Sequence, residues 1–378
     1  MINNNLVNLV LMDGGRKNNK NKRIANISNI KCTIDENDKV FYGSGGSRAI
    51  IVIKDKKAYK LFPIYIRTND IAEKSTNNIK IQNDEINREI NISLELTKNV
   101  NTQHVVKYIQ SDKCFNANDL FVKCPDYITY LNSTNNDKSC DMLYYNHPYN
   151  KIANEFMSYE MEYCNFSLKD YLEELCYLDM YQVTKCLDIL FFQIIYTLKK
   201  INAIYPQFCH NDLYIRNILG NHDYNNNSHY KYQLLDKTFY VPIKFFNPII
   251  NDFGDANLNE TYQNVKLFDE GISKDMFNIM YDIYNGACLG GKSLTKLFND
   301  NNLQYKIPML KKYFNNFFAT DKIDTMIEKN KSSMHWNWNN ILDPKFREYI
   351  KWSNDMDKLI LHYFYPKFNK ISEIIDLE

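Results

Sequence analysis

The stretch that most constrains this chain is MYQVTKCLDILFFQIIYTLKKINAIY, residues 180–205. Read at helical spacing, apolar side chains cover most of its circumference, which predicts a helix buried on nearly all sides. Such a helix has to lie at the centre of the fold, with the other elements packed around it. Its apolar run is shorter than the roughly 18 residues that a membrane span requires. The polar segment CHNDLYIRNIL, residues 209–219, follows almost at once. A loop rich in His, Asn, Asp and Arg is therefore expected to emerge from the middle of the core.

At 378 residues the chain is long enough for one large core or two smaller ones. A formal net charge of +1 gives no general attraction to nucleic acid or to an anionic membrane surface. The nine cysteines form no C-x-x-C pair and no regular framework, so neither zinc nor a disulfide scaffold is expected. With no signal-peptide pattern, this favours a reducing, intracellular and cytoplasmic setting. Heavy use of Asn, Ile, Lys and Tyr points to an AT-rich source genome, such as that of a large DNA virus.

Along the chain, residues 1–35 are polar and rich in Lys and Asn, and are expected to be largely unstructured. KVFYGSGGSRAIIVIKDKKAYKLFPI, residues 39–64, reads as three strands joined by a glycine-rich turn and by KDKK. NDEINREINISLELTKN reads as a helix with Ile86, Ile90 and Leu94 on one face and Asp84 as its cap. HVVKYIQ and FMSYEMEYC read as strands on either side of a poorly patterned insertion over about 110–155. SLKDYLEELCYL reads as a helix capped by Ser167. Further helices are expected around 275–284, 292–299, 308–318 and 355–365. An Asn-rich insertion within 220–247 reads as a surface hairpin. Strands first and helices later predict an α+β chain with a small sheet-rich part and a larger helical part, divided near Cys164.

Several residues suit chemistry on phosphates. Glycines between two strands, Gly43, Gly45 and Gly46 with Ser44, let backbone amides approach phosphate oxygens, although an ordinary hairpin would look the same. Lys60 on the third strand would face inward, where an ammonium needs an anion; Glu89 on the following helix is the candidate partner, with Glu85 as the alternative. Lys54, Lys56 and Lys57 are the alternative lysines. Asp212 can accept a proton from an attacking hydroxyl. The amide oxygen of Asn217 and the carboxylate of Asp252, at the end of an apolar strand, are hard ligands suited to Mg²⁺.

The order glycine loop, strand Lys, helix Glu, strand MEY, H-x-D-x-x-x-x-N and D-F-G resembles the protein-kinase-like superfamily over roughly residues 39–285. The resemblance implies a two-lobed fold, with an N-lobe over 36–163 and a C-lobe over 164–378. It implies binding of ATP and Mg²⁺ and transfer of the γ-phosphate to Ser or Thr, or to Tyr, of protein substrates. On this reading Gly43, Ser44, Gly45 and Gly46 cover the phosphates, and Ile50 and Ala58 roof the adenine. Lys60, paired with Glu89, holds the α- and β-phosphates. Met161 is the gatekeeper, Glu162, Tyr163 and Cys164 the hinge, and Leu219 the floor. Asp212 is the base, Asn217 and Asp252 bind the metal, and His210 braces the loop. Asp275 resembles the residue that buttresses that loop from below.

The pattern has departures. Arg48 replaces the third loop glycine, and Asn211 stands where many kinases carry an Arg that clamps a phosphorylated activation loop. Tyr214 replaces the Lys typical of serine/threonine kinases, while Arg216 resembles the tyrosine-kinase arrangement and could put its charge on the transferring phosphate. No Ala-Pro-Glu follows the D-F-G. These features resemble the divergent kinases of large DNA viruses, including the poxvirus-type serine/threonine kinases. A small-molecule phosphotransferase of the choline or aminoglycoside kinase type is the alternative, and a pseudokinase acting as a binding module is another.

Overall fold

The computed structural model describes residues 30–31, 39–42, 50–54, 56–63, 73–115, 155–221, 226–258, 271–286, 293–331, 350–351 and 355–371. Among these residues are eleven strands and eight helices, the last of them composite. The sheet-rich part comprises β1 (Ile30–Lys31), β2 (Lys39–Tyr42), β3 (Ile50–Lys54), β4 (Lys57–Pro63), β5 (Tyr108–Phe115) and β6 (Glu155–Glu162), with helix α1 (Glu73–Asn99) between β4 and β5. These strands form one sheet in the order β1-β5-β6-β4-β3-β2. All its pairings are antiparallel except that of β1 with β5.

Three expectations change here. Ile30 and Lys31, within the stretch expected to be largely unstructured, pair in the sheet with Cys114 and Phe115. The expected insertion gives its first residues to β5 and its last to β6. Helix α1 begins eleven residues before Asp84, which lies inside it and cannot cap it. Its buried face runs through Ile86, Glu89, Ile90, Ser93 and Leu96, whereas Leu94 is only half-buried. The helical spacing was legible, but a carboxylate and a hydroxyl share the inward stripe.

The helical part starts with β7 (Phe166–Ser167) and α2 (Leu168–Leu175). As expected, Ser167 caps α2: its hydroxyl accepts from the Asp170 amide while Asp170 accepts from the Ser167 amide. Helix α3 (Met180–Ile204) is the central helix, and fifteen of its residues are buried. Asp179 and Gln182 form the same reciprocal cap at its start. A 3₁₀ turn (Ile215–Asn217) leads into β8 (Ile218–Asn221), which pairs with β7 on one side and β11 (Asn247–Ile250) on the other. Gly220 is required in β8, because a Cβ there would collide with the Phe246 ring.

Between β8 and β11, β9 (His229–Leu234) and β10 (Lys237–Pro242) form a hairpin. Leu235 and Asp236 both have positive φ, the geometry of a tight two-residue turn whose twist matches the strands. This hairpin is not confined to the surface: Tyr232, Phe239 and Val241 are buried in the core. Tyr232 donates to His104 Nε2 at 2.8 Å, while His104 Nδ1 donates to the Pro248 carbonyl at 2.9 Å. Gln193 of α3 donates to the same tyrosine oxygen at 3.1 Å. The Pro248 carbonyl can only accept, which fixes the neutral tautomer with its proton on Nδ1.

Helices α4 (Gly271–Asn285), α5 (Leu294–Asp300), α6 (Ile307–Phe314) and α7 (Thr320–Lys331) follow. A last helix, α8, is assembled from Met356–Lys358, a π-helical Leu359–Phe364 and Tyr365–Phe368. Pro366 has no N–H to give to the preceding turn, and the widened segment accommodates its ring. Asp188 of α3 ties the end of the chain to the core. It accepts from Tyr313 at 2.9 Å, Tyr363 at 3.0 Å and Lys367 at 2.6 Å. No described helix is long and apolar enough to cross a membrane.

Burial pulls the His104 imidazole from its ordinary value of 6.5 down to about 4, with the bond to Pro248 opposing. The unfolded chain therefore binds the extra proton first as pH falls. The contribution of His104 to stability is complete above about pH 6.5 and is lost as pH drops towards 4, by about 3 kcal/mol in total. Urea unfolding of the wild type and His104→Gln across pH 7.5–4.5 should show the wild type losing stability more steeply by that amount.

Candidate active site

The strands place Lys60 at the centre of the site. Ile51 of β3 and Tyr159 of β6 stand directly opposite it, and Ala58 stands opposite Met161 and Ile53. Directly opposed residues share a face of a sheet. Ala58, Met161, Ile51 and Ile53 therefore lie on the face of Lys60. Ile50 is opposite Leu61, at a position that alternates away from Lys60. The structure therefore places Ile51 and Ile53, rather than the expected Ile50, on the same sheet face as Lys60 and Ala58. Of the alternative lysines, Lys56 is an exposed turn residue, and Lys57 pairs with Glu160 at 2.7 Å on the other face.

Lys60 is buried, and its ammonium lies 2.6 Å from Glu89 Oε1 and 3.1 Å from Asp252 Oδ1. Burial pulls its pKa down, but the charges of Asp252 and Glu89 outweigh this and hold the ammonium above its ordinary value. Burial pushes the Glu89 carboxyl up to about 7 against the opposing charge of Lys60. Burial also pushes Asp252 upward, but the Lys60 ammonium more than reverses it, so its carboxyl is held low. The Asp252 side chain keeps 41% of its exposure, which leaves it a face towards the cleft.

The loop after α3 is suspended from α4. Asp275 Oδ2 accepts from the His210 amide at 2.6 Å, and its Oδ1 accepts from the Asn211 amide at 2.9 Å. Two turns further along the same helix, Asp282 accepts from the Ile215 amide at 2.9 Å. Asp212 lies between these supports. Its carboxylate receives Arg216 Nη2 at 2.7 and 2.9 Å and Asn217 Nδ2 at 2.7 Å. Asn217 Nδ2 also donates to the Asp212 carbonyl at 2.7 Å, so the amide oxygen is the atom turned to other partners. His210 bonds the Asn251 carbonyl through Nε2 at 3.0 Å, joining this loop to the segment after β11 that carries Asp252.

Both loops are strained where they turn. Asn211 has φ +65° and Asp252 has φ +63°, a left-handed conformation that costs a residue with a side chain on the order of 1 kcal/mol. Two amides on Asp275 hold the first, and Lys60 holds the second. Asn211 also donates through Nδ2 to the Asp255 carbonyl at 3.0 Å. Leu219, half-buried in β8, stands between Ser167 and Ile249, and Glu162 and Cys164 flank the end of β6. Gly43, Ser44, Gly45 and Gly46 lie outside the described residues. Among the described residues, no group of three His, Cys, Asp or Glu side chains is arranged to hold a metal ion. The oxygen pair of Asn217 and Asp252 is a donor set that suits Mg²⁺, which keeps several waters.

No known family profile matches the sequence. A protein of Acanthamoeba polyphaga mimivirus, provisionally named a serine/threonine-protein kinase, is 30% identical over 290 residues, covering 64% of this chain and 69% of that relative. The chain belongs to the protein-kinase-like superfamily, as a divergent viral-type member.

Within this kinase-like site the structure brings together Lys60, Glu89 and Asp252 in one cluster, and Asp212, Arg216 and Asn217 in a second. Two contributors were not read from sequence. Asp282 could have been found: it and Asp275 are seven residues apart on a helix whose intervening residues are largely apolar, which puts two carboxylates on one buried face. Arg88 was hidden, because an Arg beside Glu on a helix reads as a solvated charge. Instead, its guanidinium donates to the Gly254 carbonyl through Nε at 3.0 Å and also through Nη2.

Asp275→Ala should leave two buried amides without acceptors and destabilise the chain by about 2–5 kcal/mol. Asp275→Asn, which keeps one acceptor oxygen, should recover part of that. Thermal unfolding of both variants measures the difference, and equal stability for wild type and Asp275→Ala would remove the bracing role.

Proposed function

We propose that this chain is an ATP- and Mg²⁺-dependent protein kinase that phosphorylates Ser or Thr hydroxyls. The sheet-rich part, from β1 to residue 163, is its N-lobe, and residues 164–378 are its C-lobe. The observation that carries this reading is the buried Lys60 ammonium held between Glu89 and Asp252, close to the braced Asp212 loop. A lysine in that position can neutralise the α- and β-phosphates of a nucleotide while remaining fixed in place.

In this reading the adenine lies against Ala58 and Ile51 above and Leu219 below, with the backbone at Glu162 and Cys164 meeting its edge. Gly43, Ser44, Gly45 and Gly46 cover the phosphates. Asn217 and Asp252 supply oxygen ligands for Mg²⁺, which when bound offsets phosphate charge. Asp212, oriented by Asn217, accepts the proton of the attacking hydroxyl as its oxygen bonds to the γ-phosphorus and the bond to ADP breaks. Arg216 holds Asp212 in position and brings a positive charge to the transferring phosphate. The mimivirus relative, named as a serine/threonine kinase, supports this class of acceptor.

Purified chain should transfer label from γ-labelled ATP to a generic protein substrate in the presence of Mg²⁺. Asp212→Ala should lower that rate by roughly 10²–10⁴-fold. Phosphoamino-acid analysis should return phosphoserine or phosphothreonine. Label appearing only on small hydroxyl or amino compounds would transfer the chain to the small-molecule phosphotransferases. ATP binding with no transfer to any acceptor would make it a binding module.

A further inference from the structure

We infer that Arg88 is a positioning residue that locks the Asp252–Asp255 segment to helix α1. The inference rests on the kinase reading above and adds a residue to its machinery.

Adjacent side chains of one helical turn reach two different parts of the site. Glu89 points at Lys60, at 2.6 Å. Arg88 puts Nε, at 3.0 Å, and Nη2 on the carbonyl oxygen of Gly254. A single oxygen that receives two N–H groups from one planar guanidinium is fixed in direction as well as distance. That oxygen belongs to the second residue after Asp252, so the peptide carrying the metal-ligand candidate is anchored on its far side. The near side is held by Lys60 on Asp252 Oδ1, at 3.1 Å, and Asn211 Nδ2 holds the Asp255 carbonyl at 3.0 Å. Gly254 adjoins the Lys60 cluster: a Cβ there would lie in ordinary contact with Glu89 Oε2, at 3.5 Å, and Asp252 Oδ1, at 3.7 Å.

Three side chains from β4, α1 and the Asp212 loop therefore clamp four consecutive residues. Two of the contacts, Glu89 with Lys60 and Arg88 with Gly254, break together if α1 shifts by one turn. Helix position and the direction of the Asp252 carboxylate become one variable. Arg88 thus acts on catalysis through Asp252 and touches no substrate.

The experiment compares full-length wild type, Arg88→Ala, Arg88→Lys and Asp252→Asn. The readouts are the Mg²⁺ concentration giving half-maximal phosphotransfer, binding of a fluorescent ATP analogue with and without Mg²⁺, and the thermal midpoint. Loss of an outer support to a metal ligand weakens metal affinity or activity by roughly 10–100-fold. Arg88→Ala should raise the Mg²⁺ requirement within that range while leaving Mg²⁺-free nucleotide binding unchanged. Arg88→Lys, with one donor for the same carbonyl, should fall between. An unchanged Mg²⁺ requirement in Arg88→Ala, while Asp252→Asn loses it, would overturn the role of Arg88 alone. So would a fall in thermal midpoint and activity equal in Ala and Lys variants with no change in Mg²⁺ requirement. If Asp252→Asn also leaves the Mg²⁺ response intact, the kinase reading and this inference fall together.

Discussion

A buried ammonium sets the terms for this site. Taking Lys60 out of water costs several kcal/mol, and the cost is tolerable only with closely placed counter-charges. The two carboxylates that meet it come from residues 29 and 192 positions away. A strand, a helix and the segment after β11 must therefore arrive together for any one of them to be stable in its place. The sheet supplies the first, since its register puts Lys60 among Ile51 and Tyr159 on the inward face. The second depends on α1 carrying Glu89, with Ser93, within a stripe otherwise made of Ile86, Ile90 and Leu96.

The Asp212 loop follows a different principle. Its residues would not adopt this path unaided, as the left-handed Asn211 shows. Helix α4 compensates by offering carboxylate oxygens to backbone amides at both ends of the loop. Acceptors buried with their donors satisfied are rigid, because any movement leaves an amide without a partner in a place water does not reach. Burial pushes Asp282 up to about 6, with the Ile215 amide opposing, a sign of how far this carboxylate is from solvent. Side chains that project from such a loop inherit its rigidity.

Much of this was legible in the sequence, for physical reasons that differ by element. The central helix announced itself through apolar residues on every face, and β2, β3 and β4 through short apolar runs bounded by Gly and Lys. Lys60, Glu89, Asp212, Asn217 and Asp252 were found because their order and spacing match a known arrangement. What escaped depended on tertiary context. The hairpin read within 220–247 is present, but its turn uses Leu235 and Asp236 in a conformation that sequence rules assign to Asn and Gly, so the place of the turn and the burial of the hairpin were not legible. The start of α1 lies in a polar stretch, where apolar residues at helical spacing are too few to mark it. Strand register is a non-local quantity, and which of Ile50 and Ile51 shares the face of Lys60 follows only from β4 lying beside β3.

The tie at Asp188 has a consequence for how the chain is made. This acid sits within the apolar central helix, and burial raises its pKa against the pull of Lys367. Among the described residues its cationic partner is Lys367, which is 179 positions downstream. During synthesis at about 5–20 residues per second, the central helix exists for roughly ten seconds or more before that lysine does. Over that interval the helix carries an acid with no cation, and it can avoid the cost by keeping that face wet or by taking up a proton. The ion pair of Asp188 with Lys367 can therefore form only after the helices between them have been made.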